Sequence, residues 1–292
     1  MELPGEIRRA QSPETTMPTV STPIGPIAVH DNRCASDAAP LALVHGAGGQ
    51  ARDWPAEWRY RMNVRQTLGV VRLPQTGPLA PRRVVAIDLP GHGASPGPGC
   101  DNVVRYAEVV SAVVEAIGLD HVAVAGHSMG GAIALEVARR APSWLAGVVI
   151  VGSAAKIPVT EQILTGLKSD FGATCDAIAR YSWAREAPAA LRETGRRRLR
   201  ACDPDVVYSD FLACSRFDAS DHLRDLDLPA LILAGTSDKM IRPDASAALA
   251  ASIRGAEFVT IAGGGHFFHL EQPAPTARAI NAFLARRVDQ TR

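Results

Sequence analysis

The chain has 292 residues, 47% apolar and 21% charged, with a formal net charge of +1. This is globular composition, long enough for one α/β domain with an insertion, and the balanced charge and lack of a nucleic-acid-binding signature argue against a nucleic-acid partner. No run of about 18 apolar residues occurs, so neither a transmembrane helix nor a membrane partner is expected.

Met1 to Pro18 is polar, contains proline and lacks the apolar core of a signal peptide, so residues 1–18 read as a disordered leader, with Met1 or Met17 as the start. Val20 to Val29, broken by Gly25-Pro26, reads as an opening hairpin. Leu41–Val44 is a buried strand. Met62 to Arg83, with Pro74, Gly77, Pro78 and Pro81, is longer than a connection needs and reads as a surface insertion, the alternative being an excursion near a site entrance. Val84–Ile87 is the next strand, Val103 to Ile117 a helix and Val122–Ala125 a strand. Ala132 to Arg140 is helical, stopped by Pro142, and Val148–Val151 is a strand. Residues 156–228 carry helical character and no strong strand, and read as a helical cap over the carboxyl edge of a sheet. Leu231–Ala234 and Glu257–Ile261 are strands, alternating with helices at Asp244 to Ile253 and Pro275 to Arg287. Continuous apolar strands alternating with helices predict an α/β fold: a mostly parallel central sheet with helices on both faces, built from residues 19–155 and 229–292, and capped by 156–228.

The stretch Gly126-His127-Ser128-Met129-Gly130 stands between a strand and a helix. A serine at the tip of so tight a turn needs neighbours without side chains, and the helix behind it offers unpaired N–H groups to an oxyanion. A serine nucleophile needs a base, and that base needs an orienting acid. His266 follows the Glu257 strand in Gly263-Gly264-Gly265-His266, where ligands of open α/β sheets gather, and His269 is its competitor. Asp238 follows the Leu231 strand. The alternative acid position near Gly152-Ser153-Ala154 holds no carboxylate, and Asp244 is the better helix cap. The candidate triad is therefore Ser128, Asp238 and His266, and the candidate oxyanion donors are the backbone N–H groups of Met129 and of Ala47 in His45-Gly46-Ala47-Gly48-Gly49. Cys34, Cys100, Cys175, Cys202 and Cys214 are odd in number and lack Cys-x-x-Cys spacing. That argues against a disulfide framework and against zinc, and fits a reduced cytoplasmic setting, while a serine triad calls for no metal and no cofactor.

Four blocks together resemble the α/β-hydrolase superfamily, in its capped esterase-like branch, over roughly Val20 to Leu284: His45–Gly49, Asp88-Leu89-Pro90-Gly91-His92-Gly93-Ala94-Ser95, Gly126–Gly131, and Gly265-His266-Phe267 with Glu271-Gln272-Pro273. The resemblance implies that Asp88 and His92 are scaffold and that His45 and His127 orient loops. The Met62 to Arg83 stretch is longer than the family pattern. Ser128 stands where related dehalogenases and epoxide hydrolases carry an aspartate. The implied reaction is acyl transfer to water, first on a small to medium carboxylic ester. Lactone, thioester and C–C cleavage are alternatives on the same triad, and a small-molecule receptor of this fold is a further one. Cap residues Ile163, Leu164, Leu167, Phe171, Tyr181, Trp183, Tyr208, Phe211 and Phe217 are candidate pocket walls or cap core, and no substrate-binding residue is assigned. Arg192, Arg196, Arg197, Arg198 and Arg200 form a solvated helix face or, in a sharper reading, a docking patch for an acyl carrier protein or a CoA phosphate.

Overall fold

The computed structural model describes residues 17–59 and 77–290. Its elements, in chain order, are β1 (Thr19–Thr22), β2 (Gly25–Asp31), β3 (Leu41–Val44), α1 (Ala56–Arg59), β4 (Val84–Ile87), α2 (Val103–Ala116), β5 (Val122–His127), α3 (Met129–Arg140) and β6 (Leu145–Val151). Then come α4 (Glu161–Ser169), α5 (Phe171–Ser182), α6 (Ala189–Arg200), α7 (Pro204–Arg216), β7 (Ala230–Gly235), α8 (Pro243–Ser252), β8 (Glu257–Ile261), α9 (Phe268–Glu271) and α10 (Pro273–Arg287). The proposed leader up to residue 16, and residues 62–76 of the long insertion, lie outside the described residues.

The strands form one sheet in the order β1-β2-β4-β3-β5-β6-β7-β8. β1, β2 and β4 pair antiparallel, and every pair from β4 to β8 is parallel. The alternation of side chains explains why the central strands are apolar throughout. Ala42, Val44, Val122, Val124, Val148 and Ile150 feed a core shared with α2, α3 and α8. Their neighbours Leu41, Leu43, Ala123, Ala125, Val149 and Val151 feed a second core with Trp54, Trp58 and α10. Helices α4–α7 lie between β6 and β7 and have a small core of their own: Leu167, Cys175, Ile178, Val207 and Phe211. Their starts are set by side-chain caps: Thr160, Asp170 and Asp203 each accept a backbone N–H of the following turn.

Because β3, β5, β7 and β8 run parallel, their carboxyl ends share one edge. The pairing of Val44 with Gly126 brings the loop after β3 beside the turn after β5. Two elements start or continue beyond the sequence expectation. α3 begins directly at Met129, so the turn after β5 is a single residue, and the short helix α9 carries His269.

Candidate active site

The site is built from the four strand-end loops and roofed by α4–α7. Ser128 is the residue between β5 and α3, with φ 53° and ψ −115°, a conformation that L side chains rarely adopt. Its N–H donates to Val151 O at 2.9 Å, and its carbonyl accepts from Gly131 N and Ala132 N, so both neighbouring strand and helix hold the strained residue. The flanking glycines are required sterically. A Cβ at Gly126 would strike Gly130 O, and a Cβ at Gly130 would strike Val44 O. Ser128 is half-buried between buried neighbours, so its hydroxyl is reachable from the cavity above.

Asp238 lies in the turn after β7 and His266 in the loop after β8, and both are buried. His266 Nδ1–H donates to Asp238 Oδ2 at 2.8 Å, which leaves Nε2 as the acceptor nitrogen. The other carboxylate oxygen, Oδ1, accepts from Met240 N at 2.8 Å and Ile241 N at 3.0 Å, fixing the acid in place. Ser128 and His266 line the same cavity, with His45, Gly46 and Ala47 on its other side. Gly46 passes so close that a Cβ there would stand 3.1 Å from Ser128 Cβ. The sequence-derived residues Ser128, His266 and Ala47 thus meet at one cavity, with Asp238 bonded behind His266 and Met129 opening α3 directly after Ser128.

Three further histidines surround them. His45 Nδ1–H donates to Gly46 O at 2.8 Å and its Nε2 accepts from Leu89 N at 3.1 Å. His127 Nε2–H donates to His266 O at 3.0 Å, and His269 Nε2–H to Asp53 O at 3.1 Å. Burial, and then neighbouring His92, pull His45 down to about 4. Burial, with His269 and His266 behind it, holds His127 well below the usual imidazole range, and burial takes His269 to about 3. These three are neutral rings that hold loops. His269, the competitor for the base role, is packed on Trp54 with ring centroids 4.9 Å apart.

Apolar side chains make the roof, among them Ile163, Ile178, Leu191, Leu199, Phe211 and Met240. Of the nine cap candidates, Ile163, Trp183 and Phe211 line the cavity. Leu164, Leu167, Phe171 and Tyr208 pack within the cap, Phe217 joins the main core and Tyr181 is exposed. The arginine cluster on α6 is largely matched by acids. Arg196 pairs with Glu193 and Asp176, Arg197 with Glu193, Arg200 with Asp176, and Arg198 with Asp53 at 2.7 Å. The Arg198–Asp53 pair lines the cavity, and burial raises the Asp53 carboxyl against the pull of Arg198.

Several contacts that shape the site escape sequence reading. Glu271 Oε2 accepts from Gly265 N at 2.9 Å and Oε1 from Ala184 N at 3.4 Å, tying the His266 loop to the cap. Ser182 O, at the end of α5, accepts from the N–H groups of His266 and Phe267, and Trp183 stacks on Phe267 at 4.7 Å. Asp210 on α7 is fully buried. Its signal in the sequence is a lone carboxylate on a helical stripe of Val206, Val207, Phe211, Ala213 and Cys214.

Among the described residues no helix is long and apolar enough to cross a membrane. The model of the alpha/beta hydrolase family matches residues 41–279. The chain is 26% identical over 268 residues to the 2-hydroxy-6-oxo-2,4-heptadienoate hydrolase of Pseudomonas putida, covering 84% of this chain and 89% of that one. It is 28% identical over 237 residues to a pimeloyl-(acyl-carrier protein) methyl ester esterase of Xanthomonas oryzae, covering 74% and 90%. The solved enol-lactonase of Burkholderia xenovorans has the same fold, with TM-score 0.79 at 19% identity over 92% of this chain and 100% of that one. With a family match across most of its length and the sheet to go with it, the chain belongs to the alpha/beta hydrolase family and is a hydrolase.

Proposed function

We propose that the protein is a serine hydrolase that cleaves a small to medium carboxylic ester through an acyl-enzyme. One observation carries the reading: a half-buried serine at φ 53°, on the same cavity as a histidine whose far nitrogen is held by a buried carboxylate at 2.8 Å. His266 Nε2 takes the Ser128 proton as Oγ attacks the ester carbonyl, and Asp238 stabilises the imidazolium that forms. The N–H groups of Met129 and Ala47 receive the oxyanion. His266 then protonates the departing alcohol, and a water activated by the same nitrogen releases the acid. The apolar roof suits an acyl or alcohol part of modest size.

A second reading, C–C bond hydrolysis on the same residues, is favoured by the similarity of 26–27% to hydrolases of 2-hydroxy-6-oxo-2,4-heptadienoate and of 2-hydroxymuconate semialdehyde over 84–88% of the chain. Turnover of p-nitrophenyl esters from acetate to dodecanoate, set beside turnover of 2-hydroxy-6-oxo-2,4-heptadienoate, separates the two. Ester turnover that vanishes in Ser128→Ala supports the first reading. Turnover of the dienoate alone supports the second, and ester turnover that survives in Ser128→Ala refutes the serine mechanism.

A further inference from the structure

Ala47 is flanked by two peptide groups, and each is pinned from a different direction. On its N-terminal side Gly46 O accepts from His45 Nδ1–H at 2.8 Å and from Gly49 N at 3.0 Å. On its C-terminal side Gly48 N–H donates to Asp210 Oδ2 at 2.7 Å, and Asp210 belongs to cap helix α7. A peptide unit is planar, so fixing a carbonyl fixes the direction of the N–H across the same bond. The Gly46 carbonyl thereby aims the Ala47 N–H, and the Asp210 contact stops the following peptide from rotating Ala47 away.

The carboxylate of Asp210 is itself saturated. Besides Gly48, it accepts from Tyr106 Oη–H at 2.5 Å on Oδ1 and from His92 Nε2–H at 2.8 Å on Oδ2. His92 donates its other N–H to Pro90 O at 2.9 Å, so both ring nitrogens are donors and the ring carries a charge opposite the buried acid. The cap also presses on the loop directly. Gly48 has φ +60°, and a Cβ there would stand 2.5 Å from Leu199 of α6 and 3.5 Å from Val207 of α7.

We propose that Asp210 is a positioning residue for the hydrolytic reaction: by docking α7 on the Gly48 amide it couples the seating of the cap to the geometry of the oxyanion hole. The inference rests on the reading of Ser128 as nucleophile and Ala47 N–H as oxyanion donor. A carboxylate that only glued the cap down would serve stability. A carboxylate bonded to the amide next to the oxyanion donor acts on the transition state, where charge develops on the substrate oxygen.

The test compares Asp210→Asn with Arg216→Ala. Arg216 is a second tie from α7 to the core, donating to Asp101 at 2.7 Å, a partner outside the His45–Gly49 loop, so its loss loosens the cap without removing the Gly48–Asp210 bond. The readouts are kcat and KM on an ester and the rate at which a fluorophosphonate labels Ser128. Removing a direct oxyanion donor typically lowers turnover by about 100- to 1,000-fold, so an indirect positioning loss is set at about 10- to 100-fold in kcat and in labelling, with KM within about threefold. Arg216→Ala is expected to stay within about threefold of wild type in both. Wild type and Asp210→Asn labelled at equal rates overturn the positioning role alone, as does an equal loss in Arg216→Ala. Wild type that resists the probe strikes the nucleophile reading, and this inference with it. Should Asp210→Asn fail to fold, amide exchange in the wild type decides: a Gly48 N–H protected like the amides of α7 supports the coupling, and one exchanging orders of magnitude faster refutes it.

Discussion

Lowering the pH from 8 to 5.5 should destabilise this protein through its buried histidines. His45, His127 and His269 are buried, and each is held below the ordinary imidazole value of 6.5 by that burial first. In this window the unfolded chain gains a proton at each position and the folded chain does not. Stability therefore falls as the pH falls through 6.5, and the loss continues toward the folded values of about 4 for His45 and about 3 for His269. At pH 5.5, one unit below the unfolded value, each ring contributes a loss of about 1.4 kcal/mol, or roughly 4 kcal/mol for the three. His92 works with the opposite sign. Burial alone would lower it, but the Asp210 charge and hydrogen bond outweigh burial and raise it, so its stabilisation is complete below 6.5 and fades at higher pH. The net loss is then smaller than the roughly 4 kcal/mol of the three rings, which is itself a sizeable share of a typical domain's stability. Urea unfolding followed by tryptophan fluorescence at pH 8, 6.5 and 5.5 measures it. His269→Gln keeps a donor for Asp53 O and should reduce the slope by about one ring's share, roughly 1.4 kcal/mol. Stability that is flat or rises on acidification, or a slope unchanged in His269→Gln, refutes the assignment of neutral buried rings.

The remaining tests address the site and its scaffold. Ser128→Ala should lower turnover by about 10,000-fold or more with the fold retained, as judged by circular dichroism. Asp238→Asn should cost less, about 100- to 10,000-fold, because His266 loses its orienting acceptor, and a kcat near wild type would remove Asp238 from the triad. Gly130→Ala places a methyl group against the carbonyls of Val44 and His45, which are backbone and cannot swing aside, so unfolding free energy should drop by about 1–3 kcal/mol or more, and an unchanged thermal midpoint would contradict that packing. A double-mutant cycle on Arg198→Ala and Asp53→Asn should give a coupling of no more than about 1 kcal/mol, since the Arg198 side chain is 43% exposed, and a coupling of zero would make the pair incidental.

The sheet was legible because its strands are buried on both faces. A strand such as Leu41–Val44 must be apolar at every position to feed two cores, and that run stands out against helical spacing. The candidate site was legible for a related reason. Parallel strands send their carboxyl ends to one edge, so Ser128, Asp238 and His266 could be gathered from three loops far apart in sequence, and Asp238 and His266 do meet at 2.8 Å. What stayed hidden depends on contacts across the cap. A carboxylate in a helix, such as Asp210, looks like a surface residue until the chain folds over His92, Tyr106 and Gly48. Glu271 stands beside His266 in the sequence, in Glu271-Gln272-Pro273, yet its bond to Ala184 joins residues 87 positions apart. The α6 arginines read as one basic face, because their partners Asp176 and Asp53 lie on other elements.

These hidden contacts divide the cap by task. The end of α5 holds the His266 loop through Ser182 O, the Trp183 ring and the Glu271 bridge, and α7 holds the Gly48 amide through Asp210. Apart from the ring stack, each is a hydrogen bond on a backbone N–H, and an N–H left without its acceptor there is costly. Ile163 on α4, and Leu191 and Thr194 on α6, line the same cavity. An exchange of volume there reshapes the space for substrate and leaves the two anchors intact. A change of acyl preference should therefore come from the α4 and α6 faces at little loss of kcat on the best substrate, whereas changes at Asp210 should lower kcat for every substrate alike.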